Sequence, residues 1–212
     1  MRDEVESEFK LRAREPLKVA GVDAALDAAG AVCSRAGSRS QVDTYLDDAS
    51  GSLARAGVAL RVREAEGRRN VTCKERGEVE GGLHIRRELD APWPRQSPPG
   101  SAKDLPDGLR ERISQHTEDR PLQPWLTLIV RRDVRVLADA GRDACELAID
   151  SVRAYANERQ VEFQEVELEV LSDPAFSERL AHALRASLPV EFAASDKPTH
   201  AAAMLGATRP RG

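Results

Sequence analysis

The 212-residue chain is predicted to be an α+β protein in which β-strands predominate and α-helices flank the sheet. Two observations lead to this fold class. Most of the chain divides into short segments in which apolar and charged residues alternate with the period of two that is typical of strands. Other segments carry apolar residues at helical spacing and are bounded by Pro or Gly. These segments amount to roughly eight strands and three or four helices.

The predicted elements begin with a strand at residues 4–12, in which charged residues occupy every second position. A helix at 16–29 follows, because Pro16 suits a first helical turn and Gly30 suits a helix end. Further strands, each bounded by Gly, Asp or Ser, are predicted at 39–46, 57–63, 69–74 and 83–89.

A proline-rich connection near residues 92–100 separates the two halves of the chain. Beyond it we predict a helix at 107–116 and strands at 125–137, 144–150 and 160–171. Asp173 and Pro174 open a helix that runs to about Leu188, and a short helix after Ser195 ends at Gly206. The strand pattern is the same on both sides of the connection, so we expect one domain over residues 1–212, with a frayed tail at 209–212.

Composition and charge narrow the class of protein. A net charge of -4 gives no support for a nucleic-acid partner, since proteins that bind the phosphate backbone normally carry a basic surplus. No run approaches the roughly 18 apolar residues that a membrane helix needs, and no signal peptide follows Met1. Cys33, Cys73 and Cys145 are far apart and form no CxxC pair, so we expect neither zinc nor disulfides and a cytoplasmic location.

Acids and bases share single faces of the predicted strands. Glu6, Glu8 and Lys10 alternate with apolar residues on the first strand, and Arg61 and Arg63 do the same on a later one. One interpretation is a set of half-buried strands whose charged faces meet water. The other is a closed barrel of about eight strands, apolar outside and charged inside, with room for one small ligand. Because unpaired buried charges are costly, such an interior would hold water, metal ions and an anion.

A set of sequence motifs follows the chain in a fixed order. The first is Glu6-Ser7-Glu8-Phe9-Lys10, an ExExK pattern. The later ones, in chain order, are Gln41-Val42-Asp43-Thr44-Tyr45-Leu46-Asp47, Ala59-Leu60-Arg61-Val62-Arg63, Val71-Thr72-Cys73-Lys74, Arg86-Arg87-Glu88, Arg131-Arg132, Ala148-Ile149-Asp150, Glu165-Val166-Glu167-Leu168-Glu169 and Ser195-Asp196-Lys197. Over about residues 3–206 this ordered set resembles the CYTH superfamily, the triphosphate tunnel metalloenzymes, of which ExExK is a signature.

The resemblance implies an eight-stranded antiparallel tunnel that binds a triphosphate together with Mg²⁺ or Mn²⁺. It implies five metal-binding acids, namely Glu6, Glu8, Asp150, Glu165 and Glu167. It implies a phosphate-binding set of Lys10, Arg61, Arg63, Lys74, Arg86, Arg132 and Lys197. The residues expected to act directly in catalysis are Lys10, Arg61, Arg63 and Arg132 of the phosphate-binding set, together with Glu88.

The substrate is less sharply defined. In thiamine triphosphatases of the superfamily a tryptophan immediately precedes the L-R strand, whereas this chain has Ala59 there, which disfavours thiamine triphosphate. Inorganic triphosphate is therefore our first choice. A class IV adenylyl cyclase and a non-catalytic module that binds polyphosphate or a nucleotide remain as alternatives. We expect a monomer or homodimer with no nucleic-acid or membrane partner, and without the helical, histidine-rich domain that follows this one in many relatives.

Overall fold

The structure is a computed structural model, and it describes residues 1–207. The predicted frayed tail at 209–212 lies outside them. Ten strands are described: β1 (Arg2–Ala13), β2 (Val32–Asp48), β3 (Ala59–Ala65), β4 (Arg68–Lys74), β5 (Glu78–Glu80), β6 (Leu83–Pro92), β7 (Leu122–Asp139), β8 (Arg142–Ala156), β9 (Arg159–Val170) and β10 (Val190–Phe192). Five α-helices are described: α1 (Val19–Ala28), α2 (Ser52–Ala56), α3 (Asp107–Thr117), α4 (Pro174–Ser187) and α5 (Lys197–Leu205).

Eight of the strands close into a barrel in which every pairing is antiparallel. The order around the barrel is β1, β9, β8, β7, β2, β3, β4 and β6, and β6 pairs again with β1. Residues 2–9 of β1 pair with β6, whereas residues 8–12 pair with β9 on the other side, so β1 closes the ring. The short strands β5 and β10 extend β6 and β1. The predicted α+β fold with a closed eight-stranded antiparallel barrel is confirmed.

Helices cover much of the outer face of the barrel. Helices α1 and α4 pack on the outward side chains of β1, β8 and β9, where Leu11, Leu147 and Val166 are completely buried. Helices α2 and α3 pack on β3, β4 and β6 around Leu60 and Val71. The apolar exterior and its helical cover therefore agree with the second interpretation of the charged strand faces.

Helix α5 closes one end of the barrel interior. Its Ala201 and Leu205 are buried against inward-facing apolar residues of β7 and β8, among them Leu128, Val130 and Val152. The helix begins where the Asp196 carboxylate accepts a hydrogen bond from the Thr199 N–H at 3.1 Å, an N-cap that places Lys197 at the first helical position. The barrel interior is therefore apolar at the end that α5 closes, which we call the apolar floor, and charged beyond it.

Most predicted elements are present, with shifted ends. The helix predicted from residue 16 begins at Val19, and the strand predicted from residue 39 begins at Val32. The predictions omitted α2, β5 and β10. The α4 N-cap is as predicted, because the Asp173 carboxylate accepts from the Phe176 N–H at 2.9 Å. No helix within residues 1–207 is long and apolar enough to cross a membrane.

Candidate functional site: a charged cavity inside the barrel

Side chains of the barrel strands, most of them inward-facing, line a cavity of about 400 Å³. Nine basic and seven acidic side chains contribute to its lining. The sequence-predicted residues among them are Glu6, Glu8, Lys10, Arg61, Arg63, Lys74, Arg86, Glu88, Arg132, Glu167 and Lys197. The structure therefore gathers nearly all of the predicted residues from six strands and the start of α5. Asp150 and Glu165 do not line this cavity, and both are completely buried.

One group of ion pairs joins β1, β4 and β6. The Lys74 ammonium lies 2.6 Å from a Glu6 carboxylate oxygen and also contacts Glu88. The Arg86 guanidinium donates to Glu6 at 3.2 Å and to Glu8 at 2.9 Å. Burial, with the repulsion of Arg86 and Arg61, lowers the pKa of Lys74, although Glu6 and Glu88 act in the opposite direction. This side of the cavity alternates acids and bases within hydrogen-bonding distance.

A second group joins β7, β8, β9 and α5. Arg132 donates to both oxygens of Asp150, at 2.8 and 2.6 Å, and to Glu167 at 2.6 Å. The Lys197 ammonium lies 2.8 Å from Asp150 and 3.2 Å from Glu165, and it also contacts Glu167. Asp150 and Glu165 thus lie behind the cavity wall, where they hold the cations that line it. The first residue of α5 is anchored by three carboxylates.

Arg12 completes this second group. Its guanidinium pairs with Glu165 and donates to the Ser195 carbonyl at 3.1 Å, which ties β1 to the segment that precedes α5. Burial raises the pKa of Glu165, against the attraction of Lys197 and Arg12. Burial also acts to raise the pKa of Glu167, but Lys197, Lys10 and Arg132 outweigh it and hold that pKa well below its usual range.

Asp43 of β2 is a site residue to which the sequence reasoning gave no role. It is almost completely buried and accepts two hydrogen bonds from Arg63, both at 2.7 Å, and one from Arg61 at 3.4 Å. Burial acts to raise its pKa, but Arg61 and Arg63 outweigh this and lower the pKa to about 2. The Gln41-Val42-Asp43 segment could have indicated this role, because Asp43 lies on the same face of β2 as the other inward-facing residues of that strand. The interaction fixes two predicted phosphate ligands.

Two groups in the cavity region, a buried N–H and a carboxylate, indicate what it could bind. The Arg61 Nε–H is buried and has no hydrogen-bond partner within residues 1–207, which is uncommon for a buried donor. Glu169 of β9 lies directly opposite Glu8 of β1, and no ion pair or hydrogen bond of its side chain is described. Burial, together with Glu6, Glu146 and Glu8, raises the pKa of Glu169 to about 7. The first group suits an anion, and the second suits a cation.

The predicted metal-binding acids are not set as a ready-made metal centre. In the described part of the chain no cluster of three or more His, Cys, Asp or Glu is arranged to hold a metal ion, and the predicted acids are paired with Lys or Arg. Their chemistry nevertheless fits Mg²⁺ or Mn²⁺, which prefer carboxylate oxygens. Glu8 and Glu169 are like charges on neighbouring strands, so a cation between them would relieve repulsion.

The aromatic residues offer little for binding a base. Tyr45 is the one aromatic side chain in the described lining of the cavity, and its ring packs beside Trp125 with the centroids 6.4 Å apart. Burial raises the pKa of Tyr45 to about 12. Trp93 is buried in the core beneath α3. Ala59 itself lines the cavity, at the position for which the sequence comparison with thiamine triphosphatases predicts a tryptophan if the vitamin is to be bound.

Comparisons with known proteins agree with this architecture. The family model of the CYTH domain matches residues 4–187. Among solved structures, HpAC1 from Hippeastrum, named as a candidate adenylyl cyclase with a dominant triphosphatase activity, is 19% identical with a TM-score of 0.62, covering 97% of this chain and 98% of that one. A candidate adenylate cyclase from Bacillus halodurans is 18% identical with a TM-score of 0.60, covering 94% and 98%. The PH1012 protein of Pyrococcus horikoshii is 18% identical with a TM-score of 0.51, covering 89% and 95%. No match was found among curated proteins.

Proposed function

The chain belongs to the CYTH family, and on this premise we propose that it hydrolyses a triphosphate with the help of a divalent metal ion, with inorganic triphosphate as its preferred substrate. The observation that carries the proposal is the cavity inside the barrel, where nine basic side chains surround a space of about 400 Å³. Most of the seven acids in the same lining pair with these cations, so a triphosphate would bind by displacing acids from their bases or together with a divalent cation.

The basic residues bind and orient the substrate. Arginine can bind phosphate oxygens through two parallel N–H groups, and Asp43 holds the guanidinium groups of Arg61 and Arg63 in fixed positions. Arg61 also has a buried N–H without a partner. Lys10, Arg86 and Arg132 are held by acids around the same cavity. Cations fixed in this way stabilise the charge that redistributes during phosphoryl transfer, without reorganising at the moment of reaction.

The acidic residues complete the site. A divalent ion, when bound, would neutralise phosphate charge and help to activate the attacking water. The carboxylates that would hold it include Glu6 and Glu8 of β1 and Glu167 of β9, which line the cavity. Asp150 and Glu165, proposed with them from the sequence, orient Lys197 and Arg132 from behind the wall. A site that bound phosphate alone would have little use for so many acids.

The lining favours a substrate without an aromatic group. Inorganic triphosphate needs charge complementarity alone, and the described lining provides no aromatic platform besides the buried Tyr45. Adenylyl cyclase activity is the second candidate, because HpAC1 carries that name together with a dominant triphosphatase activity.

Release of phosphate should therefore be measured on inorganic triphosphate, ATP and thiamine triphosphate, with Mg²⁺ and with Mn²⁺, together with formation of cyclic AMP. Turnover of inorganic triphosphate should be the fastest reaction. Cyclic AMP as the main product would assign the cyclase, and binding of triphosphate without turnover would assign a binding module.

Variants test the site assignment. Lys10→Ala, Arg61→Ala and Arg86→Ala should each lower kcat/KM on the order of 100- to 1000-fold, because each removes a fixed cation from the transition state. Arg87→Ala is the matched control, since Arg87 is adjacent in sequence but pairs with Asp3 on the outer face. Glu6→Ala and Glu167→Ala should raise the metal concentration needed for half-maximal rate, whereas Glu80→Gln, on the exposed strand β5, should not. Near-normal turnover in all five site variants would refute the assignment.

A further inference from the structure

One part of the barrel's outer surface has no helical cover. It is formed by outward-facing residues of β2, β7, β8 and β9, and we call it the open face. At its centre Val42 and Ile129 are cross-strand neighbours, and they are 38% and 41% exposed. Elsewhere on the outside, α1 and α4 or α2 and α3 bury outward positions such as Leu11 and Val71, although Val5 of β1 and Ile85 of β6 are also exposed. Contiguous exposed apolar side chains rimmed by polar residues are a feature of interaction surfaces, whereas single exposed ones are ordinary.

The strand register arranges charges around this apolar centre in a definite order. Glu64 of β3 lies opposite Val42, Val42 opposite Ile129, Ile129 opposite Arg153, and Arg153 opposite Glu162 of β9. One row across five neighbouring strands therefore reads acid, apolar, apolar, base, acid. Within the chain Glu64 pairs with Arg69 and Arg153 pairs with Glu162, but the side chains of Glu64, Arg153 and Glu162 remain at least half exposed, so each has room for a second partner.

The row is complementary to itself. A twofold axis parallel to the strands and midway between Val42 and Ile129 would place Ile129 of one copy against Val42 of the other. The same axis would place Arg153 of each copy against Glu64 of the other, because both lie one strand beyond the apolar pair. Closed homodimers use the same patch on both copies, so a surface of this kind must match itself under a twofold rotation. Two sheets packed face to face have the spacing that such side chains fill.

We propose that the open face is the contact surface of a homodimer, in which Val42 and Ile129 form the apolar centre and Arg153 pairs with Glu64 of the second copy. The alternation of both charge signs favours a second copy over an anionic or cationic partner. The inward-facing site residues lie on the other side of the same strands, so the dimer would leave the cavity and its mouth accessible.

Sedimentation velocity over a range of protein concentrations tests this proposal. The wild-type chain should sediment as a species of twice the 23.2 kDa chain mass, and Ile129→Asp should shift it to the monomer. Ile85→Asp is the matched control, because Ile85 is 39% exposed on β6, away from the open face, and it should leave the dimer intact. Circular dichroism would establish that each variant is folded, and Val42→Lys provides a second disruption of the centre.

A charge exchange makes the test specific for the predicted pairing. Arg153→Glu and Glu64→Arg should each weaken dimerisation at least tenfold, because each places like charges together across the axis. The double variant that carries both changes should recover most of the wild-type affinity. A monomeric wild type at every concentration would overturn the proposal, as would a dimer that Ile129→Asp and Val42→Lys leave intact or a double variant no better than the single ones. These measurements need no substrate, so they are independent of the proposed hydrolysis.

Discussion

Buried carboxylates hold the cations of the cavity at fixed positions. Lys10 is 2% exposed and lies 2.9 Å from Glu8, and Asp43 binds Arg61 and Arg63 at the opposite wall. Taking such charges out of water is costly, and their mutual pairing offsets much of that cost. An ion-pair network of this kind contributes little net stability, but the loss of one member leaves a buried charge without its partner.

Asp43→Asn should weaken both binding and stability. Asparagine keeps the size of the side chain but removes the charge opposite Arg61 and Arg63. We expect kcat/KM for inorganic triphosphate to fall on the order of 10- to 100-fold, largely through KM. The free energy of unfolding should fall by about 3 kcal/mol, as when one partner of a buried pair is removed. Kinetics and urea unfolding measure both effects. Asp23→Asn breaks the pair with Arg135 on the outer surface and is the control, which should keep its kinetics.

The same carboxylate gives the direction of a pH effect. The pKa of Asp43 is about 2 in the folded chain, whereas the ordinary pKa of an aspartate, taken for the unfolded chain, is 3.8. A carboxyl whose pKa is lowered on folding stabilises the protein above the unfolded pKa, and this stabilisation is lost as the pH falls from about 4 through 2. Acid unfolding should therefore depend less steeply on pH in Asp43→Asn than in the wild type. Identical acid profiles would contradict the role given to this carboxylate.

Strands in which apolar and charged residues alternate strictly could be predicted from the sequence. Elements whose position depends on tertiary contacts could not. The barrel strands follow the period of two because one face packs under helices and the other lines the cavity. The first helix starts later than Pro16 suggested, because the Gln164 side chain binds both the N–H and the carbonyl of Leu17 and keeps that segment extended. Helix α2 is short, and the Asp47 carboxylate holds it by accepting from the N–H groups of Leu53 and Ala54.

The site shows the same division. Residues that recur at alternate positions were predicted, and the structure brings most of them to one cavity. Parity alone could not show that Asp150 and Glu165 lie behind the cavity wall, because depth along a strand depends on the stagger of its neighbours. The role of Arg12 was also inaccessible, since its partner Glu165 is far away in sequence and the two meet only through the β1–β9 register.

Helix α5 should be essential to the barrel because it fills the floor of the interior. Leu205→Ala should lower the free energy of unfolding by about 2–5 kcal/mol, since Leu205 is 2% exposed in an apolar cluster. Met204→Ala is the matched control on the same helix, and with Met204 45% exposed its effect should stay within about 0.5 kcal/mol. Urea unfolding compares the two. Equal effects would mean that α5 does not close the barrel.

In the molecule as a whole, the acidic and basic side chains of the barrel interior are nearly balanced in number, and one end of the interior is apolar. The cavity lining has nine bases and seven acids, and the buried acids Asp43, Asp150 and Glu165 stand behind it. The interior therefore has little spare positive charge for a polyanion, even though its cations are well placed. Binding of a triphosphate must displace acids from their bases or bring in compensating cations.

This charge balance predicts that triphosphate binding and metal binding depend on each other. Inorganic triphosphate with Mg²⁺ should raise the Tm of the protein strongly, because a ligand at about 100 times its Kd stabilises the folded state by about 2.7 kcal/mol. The same triphosphate with a chelator should raise the Tm much less, since its charge would then oppose Glu6, Glu8 and Glu167. Sulfate at equal ionic strength controls for general salt effects, and Arg86→Ala controls for binding outside the cavity. An equal rise with and without the metal ion would show that the basic residues alone hold the substrate, and the acids of β1 and β9 would then need another role.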